Sequence, residues 1–209
     1  SSVDIYNPWW PEGTKPIKEV SGTNGQNWPR EEGVRDCIIP RKGFYWLSVD
    51  YNSIELRTLA QAVLWVVGYS NLATMYKDDP NFDPYTRLAG KILGISYKEA
   101  MTRKKAGDKQ IKKFRQLCKA AELGWPGGMG LKRFPEYAQK TYGVEISPQE
   151  SVKLREAWFE TYPEMEKFFS YISWLSNSKR PLKQLVSKRI RGDVGYCDAA
   201  NGHFQSLAA

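Results

Sequence analysis

The hydrophobic period of the chain changes once in a way that constrains everything around it. Residues Phe44 to Asp50 (FYWLSVD) are aromatic and β-branched with charge only at the end, the composition of a buried strand. From Ser53 the spacing turns helical, and Ile54, Leu56, Leu59, Ala60, Val63 and Val67 fall on one side. Asp50 therefore stands at the carboxyl end of a predicted strand, on the turn into a helix. A carboxylate without a counter-charge is costly in a core, so this one is expected to face a cleft and hold something positive. A hard cation such as Mg²⁺ suits it, since that ion takes oxygen ligands and completes its shell with substrate phosphates. Position alone equally allows a helix N-cap or a turn residue, places where Asp is favoured.

Charge narrows the partners. The net charge of +8 is segregated: residues 103 to 119 carry eight Lys or Arg against Asp108, and Lys179 to Arg191 carry six with no acid. Clustered positive charge is the footprint of polyphosphate partners, whereas a solvated helix face mixes both signs. With 209 residues, 41% of them hydrophobic, the chain can bury a core as one large domain or two small ones. It has no apolar run of the about 18 residues that span a bilayer, and no basic-then-apolar leader, so a cytoplasmic protein without a membrane partner is expected. Cys37, Cys118 and Cys197 are too far apart for a zinc site and read as reduced thiols. The single His203 argues against a histidine-based catalytic centre.

Residues 1 to 34 are rich in Pro, Gly, Asn and Trp without a sustained period and read as loop or extended chain. After a turn-rich break at Asp78 to Pro84, the sequence Asp83-Pro-Tyr-Thr-Arg87 opens a helix through Leu88, Ala89, Ile92 and Leu93. Ser96 with Glu99, and Ser147 with Glu150, have capping-box spacing. In the helix predicted over about 109–126, Ile111, Phe114, Cys118, Ala121 and Trp125 share an inward face. Arg115 and Lys119 lie one turn apart on an adjacent face, where both heads reach a single polyphosphate; a plain surface helix is the other reading of that spacing. Gly127, Gly128 and Gly130 end the helix, and Met165, Phe168, Ile172 and Leu175 form a core stripe.

Several of these strings share one resemblance. Asp50-Tyr-Asn-Ser-Ile-Glu-Leu-Arg57 resembles the Asp-Tyr-Ser-x-Ile-Glu-Leu-Arg signature of family A DNA polymerases, the DNA polymerase I family. Arg115-x-x-x-Lys119, continuing to Gly124 and the Pro-Gly-Gly of 126–128, resembles that family's nucleotide-binding helix, and Phe159-Glu-Thr-Tyr-Pro163 a later helix junction. Thr23-Asn-Gly-Gln-Asn-Trp-Pro29 and Asn201-Gly-His-Phe-Gln205 resemble two segments whose amides touch DNA, which implies DNA contacts for Gln26, Asn27, Asn201 and Gln205. The chain departs from the pattern at Tyr85 (usually His), Leu123 (usually Phe or Tyr), Gly127 (usually Tyr) and Cys197 (often Arg); the Leu and the Pro-Gly-Gly ending resemble phage-type members.

The resemblance implies an α+β partial right-hand fold. Residues 1–67 would form an N-terminal loop and palm strand–helix, 68–175 helical fingers, and 176–209 a return to the palm. It implies template-directed attack of a primer 3′-hydroxyl on a deoxynucleoside triphosphate, with two Mg²⁺ ions in the complete enzyme. Asp50 and the Tyr51 carbonyl are the implied metal ligands, Arg115 and Lys119 neutralise the triphosphate, and Tyr85 and Leu123 line the nucleotide. Glu55 matches the residue that excludes a ribose 2′-hydroxyl. The family's second metal-binding aspartate lies in a His-Asp-Glu turn that this sequence does not contain, so a polymerase fragment, inactive by itself, is expected. Two alternatives stand beside it: a non-catalytic nucleic-acid-binding module, and one half of a split polymerase completed by a second chain.

Overall fold

The structure, a computed structural model, describes residues 51–186 and 188–208, and before them residues 4–5, 17–18, 33, 37, 39–45, 47 and 49; residues 4–5, 17–18 and 206–208 are described in backbone alone. The chain divides into two compact units between Asp50 and Tyr51.

In the first unit β1 (Asp4–Ile5) pairs antiparallel with β2 (Ile17–Lys18), Asp4 opposite Lys18. The strand expected over Phe44 to Asp50 is not found at the residues described there. Phe44, Tyr45, Leu47 and Val49 are exposed, Tyr45 at 96%, and none has strand pairing. A strand needs a neighbour for its backbone groups, and none runs alongside among the described residues. The Phe44 N–H instead closes a turn on the Arg41 carbonyl at 2.9 Å.

The second unit is helical: α1 (Ile54–Val67), α2 (Asn71–Asp78), α3 (Pro84–Ile92), α4 (Tyr97–Lys105), α5 (Lys109–Gly124), α6 (Phe134–Tyr142), α7 (Pro148–Thr161), α8 (Glu164–Asn177) and α9 (Tyr196–Ala208). A hairpin of β3 (Leu182–Lys183) and β4 (Ile190–Arg191) stands between α8 and α9. The helix starts follow local chemistry. Ser70, Asp83, Ser96 and Asp108 each accept a hydrogen bond from a first-turn N–H, and Ser147 with Glu150 closes a full capping box. α1, α6 and α8 start without a side-chain cap, and Ser53 before α1 is left-handed at φ 52°.

α5 runs through the middle, packed on α3, α4 and α6, while α1 packs on α2, α8 and α9. Trp125 at the end of α5 meets Phe134 of α6 with ring centroids 4.8 Å apart and Trp158 of α7 at 5.6 Å. The stripe Met165, Phe168, Ile172 and Leu175 is buried in α8, and each such side chain contributes roughly 1.5–3 kcal/mol. Glu164 ties distant parts together: its Oε1 accepts from the Leu72 N–H (3.1 Å) and the Ser70 hydroxyl (3.2 Å), joining the starts of α8 and α2. Among the described residues no helix is long and apolar enough to cross a membrane.

Candidate functional site

The site grows from the start of α3. Asp83 caps that helix, its Oδ1 accepting from the Thr86 N–H (3.2 Å) and its Oδ2 from the Thr86 hydroxyl (2.8 Å). Oδ2 also meets the Lys104 ammonium of α4 at 2.6 Å and Arg115 Nε of α5 at 3.0 Å. Burial alone would raise the Asp83 pKa, but hydrogen bonds from Lys104 and Arg115 outweigh it and hold the carboxyl below its usual range. The Arg115 guanidinium lies 5.1 Å from the Tyr85 ring centroid, so Tyr85 and Asp83, both at the start of α3, fix it on two sides. Burial pushes the Tyr85 hydroxyl up to about 12, opposed by a hydrogen bond with Ser53.

Lys119, one turn further along α5, is half-buried and has no ion pair among the described residues. Leu123, the next turn, is half-buried and packs against the core. Glu55 stands half-buried in the first turn of α1, within electrostatic reach of Tyr142, whose hydroxyl burial pushes up. Tyr51 is exposed. Arg57 folds back over the turn that opens α1: its Nε donates to the Asn52 carbonyl (3.2 Å), a terminal nitrogen donates to the Pro80 carbonyl, and its plane lies 4.4 Å from the Tyr76 ring.

Behind Arg115 and Lys119, on the inward side of α5, Glu122 is buried at 1% exposure. Tyr162 donates to its Oε1 at 3.0 Å and Trp158 Nε1 to its Oε2 at 3.3 Å. Burial, only partly offset by those two bonds, pushes its carboxyl up to about 8. Glu122 therefore joins α5 to α7 and the α7–α8 junction. It was not among the residues expected to matter, although it lies four residues after Cys118 and so on the helix side that periodicity turns inward. Asp83 carried the signal of a helix start, but nothing local marked its pairing with Arg115, 32 residues on.

Residues 20–196 match the model of DNA polymerase family A. The chain belongs to that family. It is 28% identical over 207 residues to DNA polymerase I of Aquifex aeolicus (strain VF5), an alignment that covers 93% of this chain and 32% of that protein. The chain thus spans about a third of the length of that curated relative.

Against the family A pattern, the structure brings Tyr85 and Arg115 together, with Lys119 a turn away, and sets Asn201 against the end of α5. A Cβ on Gly127 would lie 2.7 Å from Asn201 Oδ1, and one on Gly128, at φ +91°, would lie 2.9 Å from Tyr196 and 3.1 Å from the Cys197 sulfur. The glycines after α5 thus let α9 of this family A chain approach closely. Asn201 is half-buried and Gln205, one turn on, is exposed. The second basic cluster forms the β3–β4 hairpin, flanked by Arg180 stacked at 5.1 Å on the half-exposed Trp174. Asp50, Gln26 and Asn27 lie outside the described residues. Among the described residues no three His, Cys, Asp or Glu side chains gather as a metal site.

Proposed function

We propose that this chain is the nucleotide-binding part of a DNA-directed DNA polymerase, and that α5 holds the triphosphate of an incoming deoxynucleoside triphosphate. The observation that carries the reading is the fixed Arg115: its Nε is held by Asp83 and its plane by Tyr85, which leaves the terminal nitrogens to an anion one turn from Lys119. In-line phosphoryl transfer asks mainly for positioning and charge neutralisation, which a preorganised Arg and Lys supply. Family membership favours this use of the helix over a merely solvated basic face. In this reading residues 68–175 are fingers and 176–209 lead back to the palm. Asn201 and Gln205, with the basic hairpin, face primer–template DNA, and Leu123 and Glu55 bear on the sugar.

Mg²⁺, the ion that polymerases of this family generally use, belongs to the motif at Asp50 and the Tyr51 carbonyl. The described residues do not form a site for it by themselves.

Titration of a fluorescent deoxynucleoside triphosphate against the protein and its Arg115→Ala and Lys119→Ala variants tests the proposal. A charge-assisted contact to phosphate is worth roughly 1.5–3 kcal/mol, so each variant is expected to lose about tenfold or more in nucleotide affinity. Duplex DNA affinity is expected to change far less. Unchanged nucleotide affinity in both variants would refute the assignment of α5.

A further inference from the structure

Lys104 converges with Arg115 on one atom, Asp83 Oδ2, at 2.6 Å and 3.0 Å. That carboxylate is already committed to the start of α3 through Thr86 and is only 10% exposed, whereas Lys104 and Arg115 are 34% and 28% exposed. Two cations on one carboxylate leave a net positive charge at the surface. The one carboxylate on α4 itself, Glu99, pairs with Arg103 at 2.7 Å. Among the described residues Asp83 is therefore the one acid that pairs with Lys104.

We propose that Lys104 is a further phosphate-binding residue of this site, completing with Arg115 and Lys119 a cradle of three cations. The inference rests on the reading of α5 as the triphosphate helix, and it adds a residue from a different helix that the family motif does not contain. An ammonium has three protons to donate, and one bond to Asp83 leaves two for phosphate oxygens. Arg115, bound through Nε, likewise keeps both terminal nitrogens for an anion. Sharing one oxygen holds the two heads close enough for a single polyphosphate to touch both, and the anion neutralises the excess charge without breaking either bond to Asp83. The gap in sequence between Lys104 and Arg115 is bridged by the turn at Gly107, which has φ +81°, and by Asp108 capping α5.

A purely structural Lys104, one that only neutralises Asp83, makes a different forecast. The test uses inorganic tripolyphosphate as probe, titrated calorimetrically against the protein and its Lys104→Met, Lys104→Arg and Arg115→Ala variants, with thermal unfolding recorded for each. Expected are a roughly fivefold or larger loss in Lys104→Met, most of the affinity kept in Lys104→Arg, and a loss in Arg115→Ala. A measurement on the unaltered protein stands beside it: mass-spectrometric acetylation footprinting with and without tripolyphosphate. Lys104 and Lys119 are expected to be protected, and the exposed Lys140 is not. If Lys104 acetylates at the same rate with the probe bound while Lys119 is protected, Lys104 is structural, this inference fails and the reading of α5 stands. If neither lysine is protected and Arg115→Ala binds as well as the unaltered protein, the reading of α5 fails and takes the inference with it.

Discussion

Gly127 touches Asn201 so closely that a Cβ at position 127 would sit 2.7 Å from the Asn201 side-chain oxygen. Where polymerases of this family usually carry Tyr, this chain has the residue that lets α9 rest on the end of α5. Gly127→Tyr is expected to push α9 away. Overpacking of this kind costs about 1–3 kcal/mol, and thermal unfolding measures it. Asn201→Ala in the same chain is expected to recover part of the loss; no recovery would mean that the contact does not set the spacing.

Glu122 makes stability fall as pH rises. Below its ordinary value of 4.5 the carboxyl is protonated whether the chain is folded or not. Between there and the folded value of about 8, the unfolded chain releases the proton and the folded chain keeps it, so folding is progressively disfavoured; above about 8 the cost is constant. Glu122→Gln should flatten that slope and be the more stable protein at pH 8.5, by on the order of a few kcal/mol. The amide fits if its oxygen faces Trp158 Nε1, which only donates, and its NH₂ faces the Tyr162 hydroxyl, which can turn to accept. Urea unfolding at pH 5, 7 and 8.5 decides it, and parallel curves for the two proteins would contradict the assignment.

His203 acts on the acid side. Burial beside Phe168 and Tyr171 lowers its pKa from 6.5 to about 4, and its Nε2 has no hydrogen-bond partner among the described residues. As pH falls through 6.5 the unfolded chain takes up a proton that the folded chain refuses until about 4, so stability is lost across that window. His203→Leu should remove this part of the acid sensitivity, read as the difference between unfolding midpoints at pH 7 and pH 4.5. An unchanged difference would show that the ring is solvated.

The three thiols should separate by rate. Cys37 and Cys197 are exposed and Cys118 is fully buried, its thiol pushed up by burial and by the nearby Glu122 carboxylate. An aromatic disulfide reagent should titrate two thiols quickly and the third only on unfolding, because the thiolate is the reactive form. Three fast thiols would show that α5 opens readily around Cys118.

Legibility in the sequence followed the range of the interaction. The starts of α3, α4 and α7 were readable because Asp83, Ser96 and Ser147 act on N–H groups three residues away. The core stripe of α8 and the inward face of α5 were readable because helical period places them. Phe44 to Val49 had strand composition, but strand formation depends on a neighbour that composition does not specify. The β3–β4 hairpin pairs only two residues per strand, too few for an alternating pattern to stand out. At the site, Arg115 and Lys119 could be paired by counting along one helix. Asp83 and Lys104 could not, since their meeting with Arg115 depends on how three helices pack. Glu122 was passed over because scoring only apolar residues on a face hides the one acid that lies there.

The hydrogen bond that Ser70 donates to Glu164 also bears on how the protein is made. Those residues are 94 apart, and translation at about 5–20 residues per second places roughly 5–20 s between their emergence. During that interval the first turn of α2 lacks its buried acceptor, and α1 lacks the surface of α8. Until Glu164 is made, the Ser70 hydroxyl and the Leu72 N–H have no carboxylate of α8 to bind, and the native packing of α1 on α8 cannot be completed. The Tyr162–Pro163 junction between α7 and α8 is what sets Glu164 at that place in the fold.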